Sequence, residues 1–153
     1  MERYTARCWV SVTKPIERDG MFPMDVDLEV RPEGLSVSLD TGDVTGARPI
    51  VDPATIGMYH WLNSENNTEP TVIPYDAMEQ VFGDLYAGNS YARSADGPLT
   101  SIPSGHEVRV RILCRNEARG TKLKVQLAVT GPDGQMMDEG SRALYNSLLA
   151  AAG

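Results

Sequence analysis

Apolar and polar residues alternate along much of the chain, which is the pattern of β-strands that bury one face. The alternation is continuous enough in two places to predict hairpins, each closed by a short turn. The predicted strands are residues 3–12, 24–31, 35–40, 106–115, 122–130 and 135–139. The pattern therefore predicts an α+β fold that is mainly antiparallel β, in which two hairpins build a sandwich or a barrel-like sheet.

Helical spacing of apolar residues predicts two or three short helices between and after these strands. Asp52-Pro53 is typical of a helix start and indicates a helix over 53–63. The strongest helical stripe lies in 75–87, and Gly88 follows it as a stop signal. The segment 141–153 is nearly uncharged and begins with Ser141, which can cap a helix. We expect this segment to dock on a sheet as a C-terminal helix. The apolar stripe of the 75–87 segment consists of Met78, Val81, Phe82, Leu85 and Tyr86.

Two long segments show neither the alternation of a strand nor the apolar spacing of a helix. Residues 41–51 are interrupted by glycine and proline, and residues 88–105 show no convincing pattern. A structureless stretch as long as 88–105 inside one domain is typical of a binding element, an arm or a disordered loop. We therefore interpret residues 1–153 as a single domain with a long irregular loop or arm at 88–105.

Composition narrows the class of protein. The chain of 153 residues has a net charge of −7, which argues against nucleic acid as a partner, because phosphate binding needs clustered cations. No apolar run approaches the roughly 18 residues of a membrane span, and the N-terminal residues do not resemble a secretory signal. We expect a cytoplasmic protein, or a particle assembled in the cytoplasm, with no membrane partner. The only cysteines, Cys8 and Cys114, fall at apolar positions of strands and are predicted to be buried free thiols.

The charges are divided between the two hairpins. Residues 17–52 carry nine acids and three arginines, whereas residues 106–124 carry six cations and two acids. Outward-facing positions of the first hairpin give an acidic face, defined as Asp25, Asp27 and Glu29. Outward-facing positions of the second give a basic face, defined as Arg109, Arg111, Arg115, Lys122 and Lys124. Three interpretations are open: solvated strand surfaces, complementary contacts between strands or subunits, and binding of anionic ligands.

Catalytic and metal-binding patterns are sparse. His60 and His106 lie in different elements without a second ligand at metal spacing, and the acidic face lacks the spacing of a calcium loop. Ser90 sits after a predicted helix instead of between a strand and a helix, so it does not match a nucleophile elbow. No phosphate-binding glycine motif is present. The sequence thus predicts no cofactor, no metal and no catalytic residue.

One partial resemblance bears on function. The second hairpin, the Gly131-Pro132-Asp133-Gly134-Gln135 turn and a short strand ending at Glu139-Gly140 are similar to the tail of hotdog-fold acyl-thioester enzymes. The resemblance implies that the predicted helix 75–87 is the central helix of such a fold. It also implies an acyl or other apolar small molecule as ligand.

Two hypotheses of different classes follow. The first is a non-catalytic structural or protein-interaction subunit that binds a protein partner or itself, as in a symmetric assembly such as a phage particle. It is supported by the opposed charged faces, the long loops and the uncharged C-terminal segment. The alternative is a small hotdog-type or barrel-type enzyme or ligand-binding module. It requires His60, Glu79 or Asp84 to converge on an apolar cavity.

Overall fold

A computed structural model describes residues 2–14, 18–19, 23–39, 71–116 and 120–153. It contains nine strands, one α-helix and one 3₁₀ turn within these ranges. The strands are β1 (Glu2–Lys14), β2 (Arg18–Asp19), β3 (Met24–Val30), β4 (Gly34–Leu39), β5 (Thr71–Pro74), β6 (Met78–Ala87), β7 (Ser90–Ser94), β8 (His106–Asn116) and β9 (Thr121–Thr130). The 3₁₀ turn is Tyr75–Ala77, and the helix, α1, is Asp138–Ala152.

All nine strands belong to one antiparallel sheet, so the two predicted hairpins are not separate layers. The strand order is β5-β4-β3-β1-β9-β8-β6-β7, and β2 pairs with the end of β1. Strand β1 lies between the two hairpins, because it pairs with β3 on one side and with β9 on the other. The predicted mainly antiparallel β fold is confirmed at this level.

Chain continuity shows that the sheet is strongly curled. Strands β5 and β6 are separated by six strand spacings in the sheet order, which is about 29 Å in a flat sheet. Only the turn Tyr75–Ala77 joins them, and a link of this length spans at most about 14 Å. The sheet must therefore bend around its inner face until β5 and β6 come together.

The inner face of the sheet is apolar and packs against α1. The apolar residues that alternate with the basic face along the second hairpin are all buried, as are both cysteines, which are free thiols. These apolar residues are Val108, Val110, Ile112, Cys114, Leu123, Val125, Leu127 and Val129. Helix α1 buries Leu144, Tyr145 and Leu148 against this face. Gly83 lets the Tyr145 ring approach β6, since a β-carbon there would lie 2.9 Å from the ring.

Polar contacts fix the start of α1 on the sheet. The Ser141 hydroxyl accepts a hydrogen bond from the backbone N–H of Val129 (2.9 Å). The Asp138 carboxylate accepts one from the N–H of Val108 (3.1 Å). The helix begins at Asp138, and the segment before it contributes only an isolated bridge between Thr130 and Met136.

The predicted helix over 75–87 is wrong, because this segment is the 3₁₀ turn followed by β6. Its apolar residues divide between two sides of a strand instead of lining one side of a helix. Val81 and Leu85 lie on the inner face, in register with Ile112 and Val108, whereas Phe82 and Tyr86 lie on the outer face. The described residues therefore hold one α-helix, and not two or three. The helix predicted over 53–63 falls outside them, as does the loop 41–51.

The segment 88–105 contains β7, which pairs with the end of β6. The residues after β7 run along α1 and are held there by side chains of the helix. The Leu99 backbone N–H donates to the Asn146 side-chain oxygen, and the Leu99 carbonyl accepts from the Asn146 side-chain nitrogen (both 2.8 Å). The Tyr145 hydroxyl donates to the Gly97 carbonyl (2.8 Å).

Candidate functional site

The acidic and basic faces predicted from the two hairpins lie on the same, outer face of the sheet. Asp25, Asp27 and Glu29 are in register with Arg7, Thr5 and Arg3 of β1. On the other side of β1, strands β9 and β8 carry the basic residues, with Lys122 opposite Arg115 and Lys124 opposite Leu113. The structure thus brings together two surfaces that the sequence could place only on separate hairpins, and it puts β1 between them.

Members of the basic face differ in how their charges are balanced. Arg111 forms an ion pair with Asp84 (Nε to Oδ2, 2.8 Å), and Lys122 forms one with Glu79 (3.2 Å). Within the described part of the chain, Arg109 and Lys124 have no carboxylate at ion-pair distance. Two of the five residues of the basic face are therefore neutralised by carboxylates of β6, a strand that contributes nothing to either hairpin.

Aromatic rings from neighbouring strands are interleaved with the arginines of β8. The Arg109 guanidinium carbon lies 4.4 Å from the centroid of the Tyr86 ring and 5.3 Å from that of Trp9. The Arg111 guanidinium carbon lies 4.1 Å from the centroid of the Phe82 ring. We call Trp9, Phe82, Tyr86, Arg109 and Arg111 the arginine–aromatic cluster. Its stacked geometry holds the guanidinium groups in place through cation–π attraction.

A small residue under the cluster, Ala128, makes this geometry possible. Ala128 of β9 lies between Arg109 and Arg7 across the strands, and it is buried although it is on the outer face. Because its side chain is a single methyl group, Arg109 can extend across β9 toward Trp9 on β1. A larger residue at this position would keep the two groups apart.

Asp84 anchors the cluster from below. Its side chain is only 2% exposed, and it accepts two hydrogen bonds from Arg111 (2.8 and 3.3 Å) and one from the Ser94 hydroxyl (2.6 Å). Ser94 is in turn hydrogen-bonded to the Tyr91 hydroxyl (3.0 Å), and the Tyr91 ring meets Tyr86 edge to face. The hydrogen bond with Asp84 raises the pKa of Arg111 above its ordinary value. A buried carboxylate thus ties β6, β7 and β8 to one arrangement of side chains.

The acidic face is largely compensated by arginines of its own side of the sheet. Glu29 accepts one hydrogen bond from Arg31 (2.7 Å) and pairs with Arg3 (3.1 Å), and the Arg31 hydrogen bond lowers the pKa of Glu29. Asp25 has a looser contact, 4.0 Å from Arg7, with 71% of its side chain exposed. A groove of about 470 Å³ crosses this part of the outer face, with Ser36 and Ser38 on its wall.

Of the residues proposed for an acyl site, the two that the structure describes, Glu79 and Asp84, do not converge. Glu79 pairs with Lys122 on the surface, whereas Asp84 is buried beneath Arg111. His60 lies outside the described residues, and the central helix that the hotdog resemblance implies is the strand β6.

Metal and membrane features were searched over the same ranges. No group of three or more His, Cys, Asp or Glu side chains in the described ranges is placed to hold a metal ion. No helix in the described part of the chain is long and apolar enough to cross a membrane.

Comparison of the chain with protein-family models, with curated proteins and with solved structures found no match.

Sequence reasoning missed the aromatic members of the cluster. Helical spacing predicts Phe82 and Tyr86 on the buried stripe of a helix, and the alternation along residues 3–12 does not single out Trp9. A signal was present, since five aromatic residues in a chain with few of them fall on strands β1, β6 and β7. Only the strand order, with β1 and β6 flanking β9 and β8, shows that these rings surround Arg109 and Arg111.

The cluster consists of residue types that are enriched at protein interfaces. Trp, Tyr and Arg are the residue types that contribute most to binding energy at protein interfaces. They are large, lose little conformational entropy when they are already stacked, and combine apolar area with hydrogen-bond donors. A stacked guanidinium keeps its N–H edge available, so Arg109 can bind a carboxylate in the plane of its fork.

Proposed function

We propose that this protein is a non-catalytic structural or protein-interaction subunit of a larger symmetric assembly, such as a phage particle, and that it binds through the outer face of its sheet. The observation that carries the proposal is the arginine–aromatic cluster. Three aromatic rings and two arginines lie together on the face that α1 does not cover. Surfaces of this composition are typical of interface centres.

Charge distribution supports association over nucleic-acid binding. The same face carries Asp25, Asp27 and Glu29 beside the cluster, and these carboxylates would repel a phosphate backbone. A surface with both signs in fixed positions instead favours a partner whose charges are arranged in the complementary order.

The proposal is tested by purifying the tagged chain from the cells that produce it and measuring the mass of the purified species by native mass spectrometry. We expect the wild-type chain in a complex of defined stoichiometry, heavier than the monomer. Trp9→Ala removes the ring at the centre of the outer face, and we expect the complex to lose at least about 90% of its abundance, which corresponds to a hot-spot effect.

Met137→Ala is the matched control, because Met137 is an exposed apolar residue at the start of α1, away from the outer face. It should leave the complex intact. A wild-type chain that is purified only as a monomer, or a Trp9→Ala variant that retains the full complex, contradicts the proposal.

A further inference from the structure

One row of side chains crosses the outer face from β8 to β3. Strand register places Arg7 of β1 between Ala128 of β9 and Asp25 of β3. Arg109 precedes Val110, the residue in register with Leu127, and therefore continues this row on β8. The row therefore begins with a cation and ends with an anion. These two ends are separated by three strand spacings, about 14 Å.

Both ends of the row have charge to offer a partner. Among the described residues, Arg109 has no carboxylate at ion-pair distance, and its guanidinium is held between Trp9 and Tyr86. The Asp25 side chain is more exposed than that of Glu29, and its contact with Arg7 is at the 4.0 Å limit of an ion pair. Exposed, loosely paired charges lose little hydration in forming a new contact.

The order of these charges is self-complementary under a two-fold rotation. Two copies can face each other with their outer faces, related by a two-fold axis that is parallel to the strands. If this axis lies above the boundary between β9 and β1, the rotation exchanges the two ends of the row. It brings Asp25 of one copy opposite Arg109 of the other, and the contact is made twice. Isologous pairing of this kind is the commonest symmetry of homo-oligomers.

We propose that a second copy of this chain docks on the outer face through reciprocal Asp25–Arg109 contacts. This inference rests on the proposed function and names the partner. Trp9 lies in the adjacent row of β1, next to the axis, so the two copies of its ring occupy the centre of the interface.

Charge reversal tests the pairing directly. Sedimentation velocity of the purified chain, up to about 500 µM, should show a monomer–dimer equilibrium that weakens with salt. Asp25→Arg and Arg109→Asp each place like charges opposite one another at two contacts, and each should raise the dimer dissociation constant at least about tenfold.

The decisive sample is the mixture of the two single variants. In a heterodimer of Asp25→Arg with Arg109→Asp both contacts join opposite charges again, so the mixture should dimerise where neither variant does alone. The double variant should likewise restore the dimer to within about threefold of wild type. Asp133→Arg, a reversal in an exposed turn, should leave the dissociation constant unchanged, and thermal unfolding verifies that each variant is folded.

A wild-type chain that stays monomeric over this range overturns the inference, and so does a mixture that fails to dimerise. Either result leaves the proposed function standing if Trp9→Ala still abolishes the complex purified from cells, because the partner is then a different protein. If the chain does not dimerise and Trp9→Ala does not abolish the complex purified from cells, both proposals are rejected.

Discussion

Asp84 is a buried carboxylate whose three hydrogen bonds all come from side chains of neighbouring strands. Replacing it with alanine leaves the Arg111 guanidinium, which is 25% exposed, without its counter-charge, and it leaves Ser94 without an acceptor. Removing one partner of a buried ion pair is strongly destabilising, so we expect Asp84→Ala to lower the free energy of unfolding by on the order of 3 kcal/mol. Urea unfolding followed by circular dichroism measures the loss.

The matched control for Asp84→Ala is Glu139→Ala, which removes an ion pair with Arg142 of similar geometry (2.8 Å) but with a carboxylate that is 69% exposed. Exposed pairs contribute little, so this change should cost less than about 1 kcal/mol. Equal losses for the two variants would mean that the Asp84 pair does not hold β6, β7 and β8 together.

Individual residues show what alternation can and cannot predict. The inward residues of β8 and β9 and the two buried thiols are predicted correctly, because each strand has one apolar and one polar side. Asp84 could not be predicted as a buried anchor. Its burial depends on Arg111 and Ser94, which lie 27 and 10 residues away in sequence, and no local pattern encodes that pairing.

Strand β6 shows where the reading of periodicity failed at the level of an element. Apolar residues at 78, 81, 82, 85 and 86 satisfy helical spacing, yet the segment is extended. A strand with aliphatic residues on one side and aromatic residues on the other loses its apolar–polar alternation, and here the outer aromatics stack on Arg109 and Arg111. Contacts with β8 thus override the local signal.

Helix α1 depends on the sheet for its polar contacts as well as for its apolar ones. We expect Ser141→Ala to destabilise the protein by about 1–3 kcal/mol, because the buried N–H of Val129 loses its acceptor. Thermal unfolding quantifies the loss, and amide hydrogen exchange at Val129 locates it. Ser147→Ala removes exposed hydrogen bonds with Glu2. It should change the free energy of unfolding by less than about 1 kcal/mol. A silent Ser141→Ala variant would contradict the role of this hydroxyl in docking.

The whole molecule buries both of its thiols in one core. Burial raises the pKa of Cys8 and of Cys114 from an ordinary value of 9.0 to about 12. Because the folded-state pKa is raised, the contribution of each thiol to stability is fully present below pH 9 and is lost as the pH rises toward 12.

We therefore expect the native protein to react with a thiol reagent only as fast as it unfolds, and to lose stability above about pH 9. Absorbance of the released thiolate at pH 7.5, with and without denaturant, measures the first effect. Urea titrations at pH 7, 9 and 10 measure the second. Rapid reaction of either cysteine in the native state would show that the core opens locally.

At the same scale, the sequence predicts the separation of charges but not where the charges meet. The acidic and basic hairpins are evident from composition, whereas their place on one face of one sheet follows from β1 pairing with both β3 and β9. Strand pairing between residues that are 125 apart, such as Thr5 and Thr130, is set by the fold as a whole. The candidate interface exists only once that pairing has formed.

The central position of β1 also bears on how the chain folds during synthesis. During synthesis β1 emerges well before β9, and it acquires this neighbour only after residue 130 has been made. Until then one of its edges, with Trp9 and Cys8 on its two sides, is open to other chains. Sheets closed by such distant pairings fold slowly, so yield should depend on temperature and on chaperones that shield this strand until its partner arrives.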